Sequence, residues 1–173
     1  MPKRRILPYV LLGLINNKGK LSGYQISQEF KNEVGEFWHA SHSQIYPELA
    51  RMKTDGWLED EDDGKSTYYL ITKLGQSTLR AWLAEPLNDD DNLFSLKLYF
   101  IRDQRDPLME HLLTQELAIN QDKYAHLQKR LETVFFDEQQ ISENYGHYLI
   151  LTRAIEREKN HIAWLQNNLK RLV

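Results

Sequence analysis

A mainly helical chain with one small β-hairpin is what these 173 residues predict, and three observations predict it. Cap residues and turns mark out four short helices in the first half. Two strand-like segments flank an Asp63-Gly64 turn signal. Beyond a polar break at 88–92 there is no strand signal, and apolar residues recur every seven positions.

Composition bounds what the chain can be. Apolar residues at 41% and charged residues at 27% are globular values, and the length suits one large domain or two small ones. Four Trp, nine Tyr and six Phe supply aromatic surface for a core or a ligand pocket. The absence of cysteine excludes disulfides, thiolate metal sites and a cysteine nucleophile. Residues 1–85 carry 11 basic and 11 acidic side chains, and residues 86–173 carry 11 and 14. Neither half is basic in bulk, so binding nucleic acid would need positive charge concentrated on one face or doubled by dimerisation.

The first helix is expected over Leu7 to Asn16, with Pro8 tolerable in its first turn. Its apolar run, Ile6 to Ile15, follows Lys3, Arg4 and Arg5 and so imitates a signal peptide. The stretch Asn16 to Lys20 carries no small-residue cleavage pattern, and the run is too short to span a bilayer. A buried helix in a cytoplasmic protein is the expectation, with no membrane association. Ser22 is a natural N-cap for a second helix, Gly23 to Lys31, whose Tyr24, Ile26 and Phe30 can point inward. After Phe37-Trp38, Ser41 or Ser43 caps a third helix ending at Thr54, before Asp55-Gly56. Strands at 57–60 and 67–71 follow, and then Thr72 caps a fourth helix running through Leu83, closed by Pro86.

Three helices followed by a hairpin is the order of a winged helix-turn-helix, in which the third helix enters the major groove and the hairpin is the wing. A small α+β domain with no nucleic-acid role has the same order. The domain boundaries are therefore expected at 1–87 for the winged domain and 92–173 for a helical domain. In the latter, Asn92 to Ile101 forms a short helix, and Pro107 to about Phe136 a long one with Leu113, Asn120, Leu127 and Val134 seven apart. A last helix runs from Tyr145 to the end, carrying Tyr148, Ile155, Ile162 and Leu169 at the same spacing, with Leu151, Leu165 and Leu172 beside them. Such spacing suits an intramolecular hairpin or a coiled-coil-like dimerisation arm. About eighty residues cannot bury all these faces alone, which favours the arm.

Catalytic signals are missing. HExxH, G-x-S-x-G, P-loop and G-x-G-x-x-G patterns do not occur. Two Glu-x-x-His pairs, Glu36/His39 and Glu158/His161, echo di-iron bundles, but the first falls in the winged domain beside Gly35. No enzyme, metal or cofactor is expected. The acidic run Glu59 to Asp63 lacks calcium-loop spacing and reads as a solvated hairpin edge. The third helix is more informative, because Ser43, Gln44 and Tyr46 stand at its start, with His42 before them. Gln pairs bidentately with adenine, Ser reaches base atoms or phosphate, and a Tyr ring touches a thymine methyl. Ile45 and Leu49 would face the core.

At these residues the chain resembles the PadR family of transcriptional regulators. The likeness begins at Leu12-Gly13-Leu14 and Leu21-Ser22-Gly23-Tyr24. It continues through Phe37-Trp38, the specific string His42-Ser43-Gln44-Ile45-Tyr46-Pro47-Glu48-Leu49, and Gly56-Trp57-Leu58. Tyr69-Leu70-Ile71-Thr72, Gly75, Trp82-Leu83 and Leu96-Lys97-Leu98-Tyr99-Phe100 extend it. The stretch Tyr145 to Thr152, with Glu156 to Asn160 and Trp164-Leu165, is similar to the phenolic-acid-responsive members. Only about 104–140 matches weakly.

The resemblance implies a homodimeric repressor of a phenolic acid decarboxylase gene, in the phenolic acid stress response. It would bind operator DNA and be released by p-coumarate, ferulate or caffeate. His42, Ser43, Gln44, Tyr46, Tyr24 and Lys65 are the expected DNA contacts. Phe37, Trp38, Lys97, Tyr99, His147 and Leu151 are the expected effector contacts. For Lys97 a structural ion pair, and for His147 a capping or core role, are the competing readings. A family member sensing planar drugs, using Trp164, and a helical adaptor that binds protein alone are the alternatives. The sequence departs from the family at Pro8, which would start the first helix late. It departs again at Ser41, where a basic residue often stands, and in the acidic wing, whose only cation is Lys65.

Overall fold

The computed structural model describes residues 5–36, 38–87 and 91–172. It falls into two compact units, Met1–Arg102 and Asp103–Val173.

The first unit is built around α1 (Leu7–Lys18). Val10, Leu11, Leu12, Leu14 and Ile15 are all fully buried, so this helix is apolar nearly all round and lies at the centre of its unit. Pro8 does not delay its start: it sits in the first turn, where a missing N–H costs nothing. A three-residue strand, β1 (Lys20–Ser22), leads into α2 (Gly23–Glu29). Ser22 caps that helix reciprocally. Its Oγ accepts from the Gln25 N–H at 3.3 Å, and its own N–H donates to Gln25 Oε1 at 2.8 Å. The helix stops two residues earlier than expected, and a 3-10 turn at Glu33–Glu36 follows, burying Val34.

Ser41, rather than Ser43, is the N-cap of α3 (His42–Thr54), whose Ile45, Leu49 and Met52 face the core. The hairpin consists of β2 (Leu58–Asp62) and β3 (Thr67–Ile71), in an antiparallel sheet of order β1-β3-β2. Leu58 pairs with Ile71 and Asp62 with Thr67, while Leu21 pairs with Tyr69 on the other side of β3. Thr72 caps α4 (Lys73–Ala84), accepting the Gly75 N–H at 3.0 Å.

The expected break before residue 92 is not where the compact units divide, because α5 (Asp91–Phe100) belongs to the first. A Cβ on Gly13 would lie 2.5 Å from the Phe100 ring, so only glycine lets α5 seat this ring on α1. Tyr9 stacks on the buried Trp82 at 5.1 Å between centroids, and Lys97 completes the packing. Its Nζ donates to the Glu85 carbonyl at 2.5 Å and lies 5.5 Å from the Trp82 ring centre. Asn88 to Asp90 of the polar break lie outside the described residues.

In the second unit α6 (Pro107–Val134) packs along α8 (Tyr145–Leu172), with the short α7 (Glu138–Glu143) between them in sequence. Asp106 caps α6 through the Leu108 N–H at 2.9 Å, and Pro107 opens it. On α8 the buried positions are Leu151, Glu158 and Leu165, seven apart, while Tyr148, Ile155, Ile162 and Leu169 are only half-buried. Burial on α6 is deepest at Leu112, Leu113, Glu116 and Asn120. Glu116 Oε1 accepts from Asn120 Nδ2 at 2.9 Å and stands 3.3 Å from His161 Nε2, so the buried polar groups answer one another.

Candidate nucleic-acid interface and effector region

Ser41, His42, Ser43, Gln44 and Tyr46 are all exposed at the head of α3, while Ile45 and Leu49 anchor it from below. The Gln44 side chain folds back on the cap: its Oε1 accepts from the Ser41 N–H at 3.0 Å and from the Ser41 hydroxyl at 3.1 Å. Gln44 thus braces the helix whose surface it also presents. Ser41, the family departure, is therefore the residue that starts α3. Pro47 removes the amide that would bond the Ser43 carbonyl within the helix.

His42 is held by α2. Its Nδ1 lies 3.2 Å from Ser27 Oγ, which is itself 2.9 Å from the Gly23 carbonyl. A hydroxyl has one proton, and this one goes to the carbonyl, so His42 Nδ1–H donates to Ser27 and Nε2 is left for an outside partner. His42 stacks on Tyr46, four residues on, at 6.3 Å. Tyr46 in turn packs against the start of α2: a Cβ on Gly23 would lie 2.5 Å from its ring.

Tyr24 does not point inward, since it is 66% exposed at the start of α2. Together with Ser22, Tyr46, Ser66, Thr67 and Tyr69 it lines an open cleft of about 320 Å³ between α2, α3 and the wing. Burial pushes the Tyr69 phenol above its usual range and keeps it a donor. Nothing in the sequence points Ser66, Thr67 and Tyr69 to this cleft, because only the pairing of β3 with β1 and β2 brings them beside α2.

The wing is acidic, and its carboxylates occupy neighbouring cations. Lys53 pairs with Asp60 at 2.6 Å and Lys20 with Glu61 at 3.3 Å. Asp63 closes the turn by accepting the Lys65 and Ser66 N–H groups at 2.9 and 2.8 Å, which hold its carboxyl below the ordinary range. Lys65 is exposed at the tip of this turn.

The expected effector residues divide between the units. Phe37 lies outside the described residues, and Trp38 is half-buried just before α3. Tyr99 is half-buried, edge-on to Phe100 at 5.4 Å. Lys97 is 1% exposed and engaged by Glu85 and Trp82, a structural role that an effector would have to displace. In the second unit His147 is exposed in the first turn of α8, and Leu151 is buried one turn further on. The His147 and Tyr148 rings both meet Phe135 edge-on, at 5.3 and 5.5 Å. Phe135 was not singled out from sequence; its signal was an aromatic residue closing the long helix. Among the described residues, no group of three or more His, Asp or Glu is arranged to hold a metal, and no helix is long and apolar enough to cross a membrane.

Three helices, a wing and an exposed third helix define a winged helix-turn-helix regulator of the kind that reads duplex DNA. Residues 11–81 match the model of the transcriptional regulator PadR-like family, and residues 92–172 that of the virulence activator alpha C-terminal domain. The chain is 37% identical to the negative transcriptional regulator PadR of Bacillus subtilis, over 95% of this chain and 96% of that one. It is 26% identical to the probable transcriptional regulator Rv1176c of Mycobacterium tuberculosis, over 92% and 93% of the two chains. Crystal structures of B. subtilis PadR with operator DNA and with p-coumaric acid match it at TM-scores of 0.45. Their identities are 36% and 38%, covering 98% and 97% of this chain and 99% of each of those. The chain belongs to the PadR family of transcriptional regulators.

Proposed function

We propose that this protein is a cytoplasmic homodimeric repressor that binds operator DNA through the head of α3 and leaves it when a phenolic acid binds. The observation that carries this reading is 37% identity over 95% of the chain to a negative regulator that has been crystallised with operator DNA and with p-coumaric acid. The exposed Ser43, Gln44, Tyr46 and His42 Nε2 suit base contact, with Tyr24 and Lys65 flanking them on the backbone. The half-buried stripe Tyr148, Ile155, Ile162 and Leu169 suits a second copy of α8. In the second unit, the exposed His147 beside Phe135, Tyr148 and Leu151 suits a planar ring bearing a polar group.

The test is a shift assay on DNA upstream of the protein's own reading frame, titrated with p-coumarate, ferulate and caffeate. Release at sub-millimolar phenolic acid is expected, and retention of DNA at saturating acid rejects the effector. Trp164, 45% exposed and stacked on His161 at 5.8 Å, favours a second reading as a sensor of planar drugs. Release by flat cationic dyes alone would select it.

A further inference from the structure

Five hydroxyl-bearing residues line the cleft between α2, α3 and the wing, Tyr24, Tyr46, Ser66, Thr67 and Tyr69, and their hydroxyls have no hydrogen-bond partner among the described residues. Each can donate, and among the described residues no ammonium or guanidinium lines the cleft. The wing itself offers little positive charge: Glu59 to Asp63 are five consecutive acids, and Lys53 and Lys20 are paired to two of them. A duplex lying along α3 would nonetheless bring its sugar-phosphate backbone close to Tyr46, where the groove edge meets the wing.

We infer that this cleft seats one backbone phosphate of the bound duplex in each half-site, held by neutral hydroxyl donors in place of cations. The inference rests on the proposed DNA-binding function and adds Ser66, Thr67 and Tyr69 to it. A phosphodiester suits the site because it carries acceptor oxygens only and recurs at every step of any sequence, so donors that cannot read a base still fix register. Hydroxyl donors also keep their strength beside the acidic wing, since they carry no charge that a neighbouring carboxylate would quench. A neutral donor releases no counterion, and that separates it from a lysine. Affinity should fall without any change in its salt dependence.

The experiment uses full-length Tyr69→Phe, Ser66→Ala and Lys65→Ala, each checked by thermal melting. Binding is measured to a duplex the wild-type protein selects from random sequence, and to an unrelated duplex, between about 50 and about 200 mM salt. Tyr69→Phe should weaken both duplexes by the same factor, about tenfold, with an unchanged salt slope. Lys65→Ala should lower the slope by about one. Replacing backbone phosphates one at a time by neutral methylphosphonate should reveal one position per half-site that weakens wild type but not Tyr69→Phe. Should Tyr69→Phe melt early, Ser66→Ala carries the same expectation from the wing turn.

Wild-type affinity in both folded variants overturns the cleft assignment alone, as does a loss confined to the selected duplex or a slope change like that of Lys65→Ala. A wild-type protein that binds neither duplex overturns the proposed function as well.

Discussion

Gln44 has two tasks that substitution separates. In the free protein its Oε1 takes two hydrogen bonds from Ser41, at 3.0 and 3.1 Å, and so braces the first turn of α3. Losing one net hydrogen bond at an exposed helix start costs about 1 kcal/mol, so Gln44→Ala should lower stability by that amount. A bidentate contact to adenine contributes about 1–3 kcal/mol. Both Oε1 lone pairs are already occupied, and reaching the base displaces the hydroxyl contact, which opposes binding by about 0.5–1 kcal/mol. Gln44→Ala should therefore weaken operator binding by about 0.5–2 kcal/mol, roughly 2- to 30-fold. Gln44→Glu keeps the acceptor and places a negative charge at the helix N-terminus, worth about 0.3–1 kcal/mol, so its stability should equal or exceed wild type. The same carboxylate cannot donate to adenine and repels phosphate, so its DNA binding should be the weaker of the two variants. Urea unfolding followed by the fluorescence of the buried Trp82, with anisotropy titrations on labelled operator, reads both quantities. Wild-type DNA affinity in Gln44→Glu would refute the base contact, and an unshifted unfolding midpoint in Gln44→Ala would refute the cap.

Other outcomes follow from the same geometry. Gly13→Ala puts a Cβ within 2.5–2.6 Å of the Phe100 ring; the overpacking costs about 1–3 kcal/mol and outweighs a helix-propensity gain of about 1 kcal/mol, so the urea midpoint should fall. A raised midpoint would mean that Phe100 moves aside freely. Because backbone donors lower the Asp63 pKa, its contribution to the wing turn is fully present above pH 3.8 and is lost as pH falls through the lower folded value. The Lys65 and Ser66 amide resonances should titrate with a midpoint below 3.8, and a midpoint at or above it contradicts the turn. His147→Ala should bind operator normally yet need several-fold more p-coumarate for release; release at the wild-type concentration takes His147 out of the effector site. Leu165→Ala, at a fully buried position of α8, should cost about 2–5 kcal/mol in a denaturant melt of the second unit. A loss below 1 kcal/mol would show that the α6–α8 seam lies elsewhere.

Signals that act over a few residues are readable without a structure. Ser22, Thr72 and the Asp63-Gly64 turn act within four residues of themselves, so the starts of α2 and α4 and the wing hairpin were legible from spacing alone. The motif from His42 to Leu49 placed α3 and its exposed head in the same way. Long-range partners decided the rest. β1 has three residues and exists only because β3 pairs with it, and the six-residue α7 lacked the length to show a period. Heptad spacing on α8 ran through Glu158 between Leu151 and Leu165, yet periodicity does not reveal that a carboxylate fills a buried slot. Tyr24 turned outward, α5 joined the first unit through Phe100 on Gly13, and the hydroxyl cleft formed from three separate segments. Caps and turns are contracts between near neighbours. Burial is settled by whichever distant surface arrives, and that surface is written elsewhere in the chain.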